Sequence, residues 1–150
     1  MSDNLQVTEF VTFTTGGQLF GLPIERVQEV FRPDRITRVP LAGAQIAGVL
    51  NLRGRIVTAI DMRNRLDLHA REEGRTPMAI GIESGAESFG LLVDALGEVL
   101  KLPTAEREAN PVNLDRKLAR VSAGVFRLDG QLMVVLDVDR VLDIALEEAA

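Results

Sequence analysis

Residues 9–15 alternate apolar and polar side chains, Gly16-Gly17 interrupts them, and a second extended run follows over residues 19–24. Neighbouring side chains on a strand face opposite ways, so the pattern predicts a β-hairpin turning at the glycines. The same pattern returns around Ser84-Gly85. Val27, Glu29 and Phe31 then stand two apart, which puts them on one face of a short extended segment. Residues 49–53 and 55–61 predict a further hairpin with Arg53-Gly54 at its tip, and Asp129-Gly130 marks an equivalent one between residues 125–128 and 131–136. Residues 56–60 and 132–136 are apolar at nearly every position, as expected of strands covered on both faces. Each run ends at an Asp, Asp61 or Asp137, placed to cap a short helix, the last of these helices being the longer. Residues 101–121, with Pro103 and Pro111, read as a loop carrying a short helical insert over 113–120.

The patterns recur because the chain is a duplication. Phe20-Gly21-Leu22 with Glu29-Val30 matches Phe89-Gly90-Leu91 with Glu98-Val99 at a shift of 69 residues. Ala47-Gly48-Val49 through Gly54 to Asp61 matches Ala123-Gly124-Val125 through Gly130 to Asp137 at a shift of 76. The reading is a single domain over residues 1–150, with one subdomain at about 9–68 and another at about 76–142 followed by a C-terminal helix. A unit of that size holds only about 3–5 kcal/mol in a core of its own, so the two are expected to share apolar surface.

Composition narrows the chemistry. The chain has 150 residues, no Cys, Trp or Tyr, one His and a formal net charge of −5. The charge is uneven: residues 1–68 hold 8 basic and 7 acidic side chains, residues 69–150 hold 9 and 15. An acidic chain without aromatic stacking residues of those types does not suit nucleic acid. A single His69 without cysteine builds neither a common zinc site nor a nucleophilic triad, and its polar surroundings read as a solvated linker. No run approaches a membrane span, and no glycine-rich phosphate loop occurs. No enzyme activity, cofactor or metal is expected, and the absence of cysteine fits a cytoplasmic protein.

Duplication also sorts side chains. Glu29 and Glu98 agree between the copies, so a structural role suits them as well as a functional one. Arg53 and Asp129 disagree at the tip of otherwise matching hairpins. Arg53 is either a solvated loop-tip cation or a planar donor suited to a carboxylate. A surface pair with Glu29 would contribute about 0–1 kcal/mol, so its main effect would be orientation.

The run Asn51-Leu52-Arg53-Gly54 with its flanking strands, Phe20-Gly21-Leu22-Pro23-Ile24, Val27-Gln28-Glu29-Val30 and Ile36-Thr37-Arg38-Val39-Pro40 resemble the CheW family over about residues 9–142. The resemblance implies a mainly β fold of two SH3-like five-stranded barrels sharing a core. It also implies a chemotaxis adaptor that catalyses nothing and couples the cytoplasmic tip of a chemoreceptor to the regulatory domain of the CheA histidine kinase. Val27, Glu29 and Arg53 fall on positions that meet or support the receptor, with Val30 adding apolar area beside them. The kinase is expected on the second subdomain, with no contact assigned to a particular residue. Such an adaptor is cytoplasmic and recruited to membrane-associated arrays; the alternative is the same role in a pathway for twitching motility or second-messenger control. Two departures stand out: Thr58 replaces a usual proline, leaving a strand N–H to satisfy, and residues 103–111 are unusually polar.

Overall fold

The computed structural model describes residues 6–39, 46–62 and 77–149. Two five-stranded sheets dominate it. The first contains β1 (Val7–Thr15), β2 (Gln18–Pro23), β8 (Ala95–Pro103), β9 (Ser122–Leu128) and β10 (Gln131–Leu136), in the order β8, β1, β2, β10, β9. The second contains β3 (Glu29–Phe31), β4 (Ile46–Leu52), β5 (Arg55–Asp61), β6 (Met78–Ser84) and β7 (Glu87–Val93), in the order β3, β6, β7, β5, β4. The mainly β fold and the strand number agree with the expectation.

The sheets do not follow the division into 9–68 and 76–142. Each takes the opening hairpin of one copy and three strands of the other. Each sheet joins the copies twice: antiparallel where β1 meets β8 and β3 meets β6, and parallel where Phe20 of β2 lies beside Val134 of β10 and Phe89 of β7 beside Thr58 of β5. Parallel partners need a long crossover, which a strand from the other copy supplies. The chain passes between sheets through a 3-10 turn at Ile24–Arg26 and again at Asp94, whose N–H donates to Thr14 O at 3.1 Å.

The strand period sorts the core into three parts. On β10, Met133 and Val135 join Phe10 and Phe126 in a cluster under the first sheet, while Val134 and Leu136 face the main core. On β5, Val57 and Ala59 join Leu50, Ala79 and Leu92 under the second sheet, while Ile60 faces the main core. That main core lies between the sheets and includes Phe13, Phe20, Ile60, Leu91, Val121 and Leu136, so the two copies share it as expected. The expectation of cover on both faces holds for Met133 to Leu136, but Ile56 is 64% exposed. It sits opposite Asn51 near the hairpin tip, beyond the reach of the main core.

Each sheet is drawn together by a bridge. Thr37, past the end of β3, exchanges two backbone hydrogen bonds with Val49 of β4, both at 2.8 Å. Glu108, past the end of β8, does the same with Val125 of β9, at 2.8 and 2.9 Å. The outer strands of each sheet are thereby tied through the continuing chain, compatible with five-stranded barrels. Gly48 is required at the first bridge: its φ is +149°, and a Cβ there would collide with the Thr37 carbonyl oxygen. Thr58 lies inside the ladder, paired with Val49 on one side and Phe89 on the other, so the proline departure leaves no gap in the strand.

Two departures from the sequence reading concern residues 101–121. β8 continues to Pro103 because β1 pairs with it as far as Val7, and a proline with no N–H is tolerated at the end of an outer strand. The helical insert is α1 (Arg116–Val121), shifted a little later and capped by Asp115, which accepts from Lys117 N at 2.8 Å. The last helix, α2 (Val138–Ala149), begins as expected after Asp137, whose Oδ1 accepts from Arg140 N at 3.2 Å. Replacing Asp137 with alanine is expected to cost about 1 kcal/mol and to lower the melting temperature by about 2–4 °C in a thermal denaturation series. Of the helix expected after Asp61, Met62 has helical backbone; its remainder and the His69 linker lie outside the described residues.

Candidate functional site

The β4–β5 hairpin pairs Leu52 with Arg55, leaving Arg53 and Gly54 as a two-residue turn. Their φ values are 52° and 86°, both positive as a type I′ turn requires. Arg53 is the only residue other than glycine with positive φ among the described residues. Asn51 steadies the tip, its Oδ1 accepting from Gly54 N at 2.9 Å. A guanidinium is thus carried on a fixed turn in a backbone conformation that asparagine or glycine adopts more easily.

Across the sheet, β3 places Glu29 opposite Gly81. Glu29 Oε1 receives Arg53 Nη1 at 2.9 Å, and Oε2 receives Arg55 Nη2 at 3.3 Å. Arg55 Nη1 reaches Glu83 Oε1 at 3.2 Å. Two arginines and two glutamates therefore form one chain of ion pairs across β3, the hairpin and β6. Glu29 is its most covered member, with 22% of its side chain exposed, whereas Arg53 is 74% exposed. Exposed pairs of this kind contribute about 0–1 kcal/mol each, so the network sets geometry more than stability.

Of the four residues expected at a receptor surface, Glu29 and Arg53 are brought into direct contact. Val30 lies on the other face of β3, paired with buried Ile80 of the main core and 45% exposed. Val27 is half-buried against that same core at the end of the 3-10 turn. It does not share a face with Glu29 and Phe31 as expected: the strand begins only at Glu29, and Phe31 packs instead against the cluster of Leu50 and Val57. The site thus has a charged part at the hairpin tip and an apolar part at the seam between the sheets. Arg55 and Glu83 were not singled out from sequence, although comparing the copies marks both: Gln131 and Thr14 stand at their matching positions.

Away from this site, an open cleft on the other sheet is lined by Arg107, Asn110, Ser122 and Gly124. Within its lining, Ser122 Oγ donates to Asn110 Oδ1 at 2.6 Å. Among the described residues, no group of three or more His, Asp or Glu side chains is placed to hold a metal ion, and no helix is long and apolar enough to cross a membrane.

A family model described as "CheW-like domain" matches residues 9–145. The chain is 27% identical over 143 residues to a chemotaxis protein CheW of Thermotoga maritima, covering 95% of this chain and 93% of that protein. It is 26% identical over 135 residues to a chemotaxis protein CheA of Salmonella typhimurium, covering 89% of this chain but 19% of that much longer protein. The crystal structure of the scaffolding protein TtCheW from Thermoanaerobacter tengcongensis superposes with a TM-score of 0.78 at 28% identity, over 88% of this chain and 85% of that one.

Proposed function

The chain belongs to the family of CheW-like domains, and from that premise we propose that it is a chemotaxis adaptor holding a chemoreceptor tip and a CheA-type histidine kinase in one assembly. The observation that carries the receptor half of this reading is the Glu29–Arg53 pair at 2.9 Å. It presents a charged anchor on a rigid turn, with exposed Val30 and half-buried Val27 supplying apolar area at the seam. Recognition of an amphipathic helix needs an apolar strip and a few polar groups that fix its register. Signal would pass because both partners are held in a set geometry, and repeated contacts in an array raise the effective affinity without new chemistry.

The kinase is assigned to the surface built by the second copy. Its support is the charge contrast between the copies: Glu98 and Asp129 stand where the first copy has Glu29 and Arg53. Neither makes an ion pair among the described residues. Two different partners can therefore be read by one duplicated scaffold. The adaptor would work in the cytoplasm, beside receptors held in the membrane.

Size-exclusion co-elution tests the reading directly. The purified chain, a receptor cytoplasmic-tip fragment and the regulatory domain of a CheA kinase from the same organism are expected to elute as one three-component complex. Elution of the chain apart from both partners would sink the proposal.

A further inference from the structure

The two copies supply a comparison inside one molecule. Glu29 and Glu98 occupy matching positions, yet only Glu29 is held in ion pairs among the described residues. Every residue of the arrangement around it differs in the second copy: its partners Arg53 and Arg55 become Asp129 and Gln131, Glu83 that pairs with Arg55 becomes Thr14, and Gly81 opposite it becomes Thr12. The fold is the same in both places without these residues, so their joint presence serves something other than folding. Gly81 belongs to the set for a steric reason. The Glu29 side chain runs over it, and a Cβ on Gly81 would come within 3.3 Å of Glu29 Cγ. At the matching place Thr12 is buried and its hydroxyl donates to the Glu98 carbonyl oxygen at 2.6 Å, so the space is filled.

We propose that Gly81, Arg55 and Glu83 are positioning residues for Arg53, acting through Glu29; the inference rests on the receptor reading of this site. Gly81 leaves room for the Glu29 side chain to lie flat. Arg55, itself held by Glu83, fixes one oxygen of Glu29 and leaves the other for Arg53. Because both oxygens are taken, Glu29 is not offered to a partner. The partner-facing group is Arg53, whose remaining guanidinium donors fit a carboxylate on the bound helix. Holding that side chain beforehand removes the ordering cost otherwise met on binding, an effect of about 3- to 10-fold in affinity.

The test is a double-mutant cycle read by calorimetric titration with the receptor cytoplasmic-tip fragment. Arg55→Gln and Gly81→Ala are each expected to weaken binding about 3- to 10-fold when Arg53 is present and to change nothing in an Arg53→Ala background. Arg55→Lys, which keeps the charge, is expected to recover part of the loss. Lys101→Gln, which removes the same charge on the other sheet, is expected to leave affinity unchanged. Thermal unfolding of Arg55→Gln should stay within about 2–4 °C of the parent, as suits exposed ion pairs. Equal losses in both backgrounds, or no loss in either, overturn the positioning role while leaving the receptor reading in place. An Arg53→Ala variant that binds as tightly as the parent overturns the receptor reading and the inference with it.

Discussion

Phe20→Ala is expected to destabilise both sheets at once, by about 3–5 kcal/mol. The ring is fully buried and stacks on Phe13 with centroids 5.2 Å apart and planes inclined by 20°. It also belongs to the main core, alongside Ile60 and Leu91 of the second sheet. Removing it leaves a cavity that both sheets line, which close packing cannot refill cheaply. For a chain of this size the loss corresponds to a melting temperature lowered by about 6–20 °C. A single cooperative transition is expected in calorimetry, with amide protons of β5 and β7 losing protection together with those of β2 and β10. Two separate transitions, or protection lost in the first sheet alone, would show that the sheets are energetically independent.

The hairpins and their tips were legible in the sequence because turn chemistry is local. Gly16-Gly17, Arg53-Gly54 and Asp129-Gly130 all fall between paired strands where the pattern placed them. The shared core was legible too, since residues 133–136 carry no polar side chain to turn towards water. The exchange of hairpins between copies was not. Side-chain period fixes which face of a strand is buried, but with two copies of the same pattern it is silent on which β2-like strand lies beside β10. Ile56 misled for a related reason: an unbroken apolar run does not show where along the strand the covering sheet ends. Within the site, Glu29 and Arg53 were marked by position and by the disagreement with Asp129. Arg55 and Glu83 carry that same disagreement, but the ion pairs that link them to Glu29, Arg55 directly and Glu83 through Arg55, depend on how the sheet brings β3, β5 and β6 together, which spacing along the chain does not encode.

Arg53 is expected to show opposite signs for stability and for binding, and that contrast separates a functional residue from a structural one. With φ at 52°, its backbone sits in the left-handed region, which costs an ordinary side chain about 1–2 kcal/mol. Asparagine tolerates that region and precedes glycine in favoured type I′ turns. Arg53→Asn also gives up the pair with Glu29, but an exposed pair offsets only about 0–1 kcal/mol. The net result is a protein at least as stable as the parent, with a melting temperature up to about 2–4 °C higher. Binding of the receptor-tip fragment should move the other way. A buried arginine anchor at an interface is worth about 2 kcal/mol or more, so affinity is expected to fall about 30-fold. Arg53→Glu should lose more, because the new carboxylate faces Glu29 and the incoming acidic group alike, while circular dichroism stays unchanged. If Arg53→Asn instead lowers stability and leaves binding intact, the strained turn is a feature of folding and the hairpin tip is not where the partner is held.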